Sequence, residues 1–162
     1  MSDPAQRLAT YQDVLDAPPH LVAEVIAGEL HLHPRPAKPH AAAAAALGEE
    51  LGPPFERARG GPGGWTILDE PELHLGADIL VPDLGGWRAE RMPELVDDEP
   101  FFRLAPDWAC EVLHPRTAQY DRTDKLGIYA RSGLLALGDG AALPSLPAGQ
   151  PDGRPDGGGS SS

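Results

Sequence analysis

The run Trp108-Ala109-Cys110-Glu111-Val112-Leu113 sets one acid inside an apolar segment bounded by Pro106 and Pro115. Such a run reads as a buried strand ended by its proline. A carboxylate there is costly to bury unless something compensates it. A metal ion, a cationic partner or a water-filled cleft would each serve, and any fold for this chain must supply one of them.

The segments around that strand read as an α/β (α+β) domain. Thr10 caps a short helix to Leu15, with Asp13 at the third helical position as in a capping box. Ala23 to His33 alternates as a β-hairpin turning near Ala27-Gly28. Pro34, Pro36 and Pro39 enforce an extended link, and His40 opens an alanine-rich helix. Trp65–Leu68, Glu72–Leu75 and Ala77–Val81 read as strands, Arg88 to Phe102 as a polar loop, and Thr117 as the N-cap of a helix to about Arg131. The order implies a mixed, bent sheet flanked by helices.

Glycine and proline number 19 each, concentrated in Gly52–Gly64 and after Gly138, which predicts one ordered body and one disordered end. The boundary falls at 133: residues 1–133 form the domain, and 134–162 a Gly/Pro/Ser-rich tail. A parallel strand is expected after the Thr117–Arg131 helix, but the sequence offers none, or only Leu134–Leu137. The formal net charge of −12 argues against a broad basic face gripping nucleic acid, though not against a metal ion meeting a phosphate. A single cysteine, Cys110, excludes a disulfide framework or thiolate cage. With no leader-like or bilayer-length apolar run, the default is a soluble cytoplasmic protein with no membrane partner.

Asp83, Glu111 and Lys125 are the candidate catalytic residues. Asp83 ends one apolar strand and Glu111 lies in the next. Two carboxylates on neighbouring strands can share a Mg²⁺ ion. Lys125, one helix later, can offset negative charge developing on a phosphodiester. Each also has a plainer reading: Asp83 as a turn residue after Pro82, Glu111 as a solvent-facing strand residue, Lys125 as the i,i+4 partner of Asp121. His31, His33, His40 and His74 lack the spacing of a zinc site. Cys110 reads as a small buried residue, the three tryptophans as packing anchors, and Glu94–Glu99 as a solvated loop.

From Thr10 to Gly133 the chain resembles the Uma2 family of restriction-endonuclease-like proteins with the PD-(D/E)XK nuclease fold. The resemblance rests on Glu24-Val25-Ile26-Ala27-Gly28-Glu29-Leu30, on His40, on Val81-Pro82-Asp83-Leu84 and on Pro106 to Thr117. Asp121-Arg122-Thr123-Asp124-Lys125-Leu126 and Tyr129 to Gly133 complete it. It implies a Mg²⁺- or Mn²⁺-dependent endonuclease hydrolysing DNA through a metal-activated water, with Asp83 and Glu111 as metal ligands. The superfamily lysine usually stands two residues after the second acid, where this chain has Leu113; the resemblance implies that Lys125 replaces it. Glu24 either completes the metal site or only fixes the junction between hairpin and helix. His114 stands where similar chains carry serine. Nucleases of this fold often work as dimers, so the resemblance also admits a homodimer. Similar chains continue past Gly133 into a Trp-containing strand, and this one turns to its glycine- and proline-rich tail. That departure implies marginal stability from an exposed sheet edge. It also leaves a second reading, a degenerate non-catalytic member serving as an interaction module or produced by a decayed gene.

Overall fold

The computed structural model describes residues 7–92, 98–112, 125, 127–130 and 135–138. Along them run α1 (Tyr11–Leu15), β1 (Leu21–Ile26), β2 (Glu29–Pro34), α2 (Lys38–Leu51) and a π-helical turn (Gly52–Glu56). The strands β3 (Trp65–Asp69), β4 (Leu73–Leu75), β5 (Asp78–Leu80), β6 (Leu84–Arg88), β7 (Trp108–Glu111) and β8 (Leu135–Gly138) follow. Lys125 and residues 127–130 are helical. The α/β reading holds, with the bent sheet resolved into two four-stranded sheets ordered β2-β1-β5-β4 and β3-β6-β7-β8. All pairings are antiparallel except β7 with β8.

The hairpin of β1 and β2 closes over two residues with positive φ, Ala27 at 52° and Gly28 at 84°. That is the primed-turn geometry matching the twist of the strands it joins. It fixes the register from Ile26↔Glu29 to Leu21↔Pro34. Ahead of it, Asp13 Oδ2 accepts from the Thr10 N–H (2.7 Å) and hydroxyl (2.8 Å), as the capping-box pattern requires. Arg7 clamps the same carboxylate at 2.6 Å, and this bond with those from Thr10 holds the Asp13 carboxyl far below its ordinary range.

β6 is a strand that the sequence conceals. Leu-Gly-Gly-Trp-Arg has two central glycines, which ordinarily weaken a strand. Here they are demanded by close packing. A Cβ on Gly86 would lie inside the Trp108 indole, and one on Gly85 would meet Pro71 and Trp87. Trp87 and Trp108 are both fully buried, each in its own apolar cluster. Gly86 pairs with Trp108, Gly85 with Ala109 and Leu84 with Cys110, so the glycine gap fixes the β6–β7 register. The expected Arg88–Phe102 loop meets β6 only at Arg88, and its far end, Phe102, bridges to Leu73.

On the other side of β7, β8 runs parallel in register from Trp108↔Leu135 to Glu111↔Gly138. The strand expected after the helix is therefore present in its reduced form, and it extends past the boundary at 133. Residues 139–162, the bulk of the proposed tail, lie outside the described residues, as do 93–97 of the acidic run and 113–124 of the last helix. Through Leu47 and Leu51, α2 packs on Trp65, Leu84 and Trp108. Among the described residues no helix is long and apolar enough to cross a membrane.

Replacing Gly86 by alanine is expected to lower stability by about 2 kcal/mol or more, because backbone and indole must part. Gly48, where an added Cβ meets only ordinary contacts, should tolerate alanine and gain about 0.5–1 kcal/mol from helix propensity. Urea-unfolding midpoints of the two variants check both signs.

Candidate active site

The β6–β7 register brings the two strand acids together. Leu84 is paired with Cys110, so Asp83, one residue before, stands opposite Glu111, one residue after. The Val112 N–H donates to Asp83 Oδ2 at 2.6 Å, tying the end of β7 to the residue that opens β6. His40, in the first turn of α2, sets its Nε2 3.3 Å from the same oxygen.

Glu24 arrives from the other sheet. It is 1% exposed, and its Oε1 accepts the Val81 N–H at 2.8 Å. Its Oε2 is 2.8 Å from Lys125 Nζ and 3.4 Å from His33 Nε2. Lys125 Nζ also lies 3.4 Å from Glu111 Oε1, which accepts the Tyr129 hydroxyl at 2.7 Å. Three acids from β1, the β5–β6 junction and β7 thus converge where a helix delivers one ammonium and one phenol.

Glu111 bears the cost of lying in this buried cluster. Burial pushes its carboxyl up to about 7, with Glu24 and Asp83 adding to the rise while Lys125 and the Tyr129 hydroxyl pull it back. The same burial, with Glu111 next, drives the Tyr129 hydroxyl well above its ordinary value. Cys110 is buried and its thiol is pushed up to about 11 by burial, then by Asp83 and Glu111, so it is not a nucleophile.

Asp83, Glu111 and Lys125, named from sequence, are thus brought together, and Glu24 joins them as the shared partner of Lys125. The i,i+4 pairing of Lys125 with Asp121 falls on a residue outside the described set. Three of the histidines set aside as a zinc site each face a different acid: His33 faces Glu24, His40 faces Asp83, and His74 pairs with Glu72 at 2.7 Å. Sequence reasoning gave Tyr129 no part. Its signal was present, four residues from Lys125 on one helix face.

Among the described residues no group of three His, Cys, Asp or Glu side chains is arranged to hold a metal ion. The donor chemistry nonetheless suits a hard divalent cation, which takes oxygen ligands. Asp83 and Glu111, opposite each other across the β6–β7 register, offer carboxylate oxygens of the kind such an ion takes.

The mixed α/β core, two four-stranded sheets with few helices, is similar to the fold of a solved protein described as a nuclease. The crystal structure of a putative nuclease belonging to DUF820 from Anabaena variabilis ATCC 29413 shares this fold, with a TM-score of 0.63 and 22% identity over 79% of this chain and 74% of that one. The model of the Uma2 family, described as "Putative restriction endonuclease", matches residues 8–137, and the chain belongs to that family. Comparison with curated proteins finds no match.

Two outcomes follow from the charge cluster. Lys125→Met should cost about 3–5 kcal/mol by leaving Glu24 buried and uncompensated, and Glu24→Gln in the same chain should restore much of the loss. A double-mutant cycle measured by urea unfolding reads the coupling. Because folding raises the Glu111 carboxyl from about 4.5 to about 7, the folded state holds this proton more tightly. Its contribution to stability is fullest below about 4.5 and is lost as pH rises through about 7. Glu111→Gln should therefore gain stability relative to wild type as pH is raised from 5 to 8, without added metal. A difference between the two proteins that stays constant across that range would contradict the assignment.

Proposed function

We propose that the protein is a Mg²⁺- or Mn²⁺-dependent endonuclease that hydrolyses DNA phosphodiester bonds. Family membership supports a nuclease, and the observation that carries the finer reading is the facing pair Asp83–Glu111 with Lys125 Nζ 3.4 Å from Glu111. When bound, a divalent cation supplies Lewis acidity and charge neutralisation at the phosphate. Asp83 and Glu111 would hold it, with Glu24 available beside them.

The chain's own residues then have distinct tasks. The Val112 N–H fixes Asp83, so that this carboxylate need not reorganise when the ion enters. The Tyr129 hydroxyl occupies Glu111 Oε1 and orients that carboxylate. Lys125 offers an ammonium beside the reacting phosphate, where negative charge grows as the bond breaks. A cation held by the acids would offset part of the charge that Lys125 now meets, leaving the ammonium available to the substrate phosphate. Glu24, bonded to Val81 and Lys125, sets the resting position of that lysine.

The decisive measurement is nicking of supercoiled plasmid with Mg²⁺ or Mn²⁺. Wild-type protein should nick only with added cation, Asp83→Asn and Glu111→Gln should abolish the metal-dependent activity, and Lys125→Met should reduce it about 10²–10³-fold. Equal nicking by wild type and the two acid variants would sink the catalytic reading and leave the degenerate, non-catalytic member in its place.

A further inference from the structure

We infer that the segment from His31 to His40 is a strap that receives the phosphodiester backbone of a nucleic acid and leads it into the acid cluster. The inference rests on the nuclease reading for the identity of the polyanion, and it assigns the entry surface that reading lacks.

The chain has 25 acids against 13 Lys plus Arg, so most of its surface repels a polyanion. Between Glu29 and Glu49 there is no acid at all, while His31, His33, Arg35, Lys38 and His40 fall in that interval. The structure places both ends of this stretch at the site. His33 Nε2 is 3.4 Å from Glu24 Oε2, and His40 Nε2 is 3.3 Å from Asp83 Oδ2. The residues between them therefore pass along the rim of the acid cluster. Arg35 stands two residues from His33, and Lys38 two from His40, each separation being about 7 Å of extended chain at most.

Both cations are exposed. Arg35 donates to the Pro19 carbonyl at 3.3 Å, and among the described residues neither side chain forms an ion pair. Four other described cations are already engaged, Arg7 with Asp13, Arg91 with Asp107, Arg103 with Glu99 and Lys125 in the site, while Arg57 and Arg59, exposed and without an ion pair among the described residues, lie beyond α2 and outside this interval. Pro34, Pro36 and Pro39 restrict the backbone, so the charges are presented with little ordering left to do. Lys38 also opens α2, a helix of 14 residues whose N-terminal N–H groups add positive potential on the same side. A phosphodiester strand is the ligand that fits a narrow, preset line of cations ending at acids suited to a divalent ion.

The test uses the full chain, a short fluorescent DNA duplex and Ca²⁺ in place of Mg²⁺, with affinity followed by anisotropy across a salt series. Arg35→Ala with Lys38→Ala should weaken binding about tenfold at ~0.1 M salt and make the log–log salt slope shallower by about 2, one for each lost phosphate contact. Arg35→Glu with Lys38→Glu should weaken it further. Since both side chains are exposed, circular dichroism and unfolding midpoints should match wild type. Wild-type affinity and slope in these variants would overturn the strap, and so would an equal loss in Arg59→Ala with Arg103→Ala. The plasmid assay keeps the two readings apart. Strap-dependent binding without nicking upholds the strap against the catalytic reading, whereas nicking with strap-independent binding does the reverse. A wild-type chain that neither binds nor nicks DNA overturns both.

Discussion

The packing of Trp108 against Gly86 is the constraint on which the site depends. The Trp108 indole pressed against the strand at Gly86 leaves no room for a Cβ there, and this contact fixes the β6–β7 register. A slip by one residue would turn every side chain of β7 to the opposite face. Asp83 and Glu111 would then no longer face each other, and Val112 would lose the carboxylate it holds. The chemistry of the acids is thus secured by an apolar contact that contains no acid.

From there the site assembles in layers. β1 brings Glu24 from the first sheet, and the helix after β7 brings Lys125 and Tyr129 to the second. Lys125 is the joint, bonded across to Glu24 and near Glu111. Stability and chemistry are consequently in tension here, since the lysine that neutralises buried acids is the one proposed to serve the phosphate. A buried ion pair of this kind is weak evidence of stabilisation, but its disruption is costly.

Much of this was legible in the chain, for identifiable reasons. The hairpin announced itself by alternation and Ala27-Gly28, α1 by its Thr10–Asp13 box, and β7 by apolar residues between prolines. Asp83, Glu111 and Lys125 were singled out because their order resembles a family pattern, while spacing alone left each with a plainer explanation. β6 was missed because Gly85 and Gly86 carry no strand propensity; their meaning lies in Trp108 and Pro71, which are distant in sequence. The attachments of His33 and His40 to Glu24 and Asp83 were equally hidden, because only tertiary structure says which acid a histidine meets.

Lys125 between Glu24 and Glu111 gives the chain an internal counter-ion. A zinc finger collapses without its metal because nothing else offsets its ligands; this arrangement carries a built-in substitute. The protein is thereby able to finish folding without an ion. Under the proposed function, ion supply would then act as a throttle on a standing population of folded molecules and not as a requirement for making them.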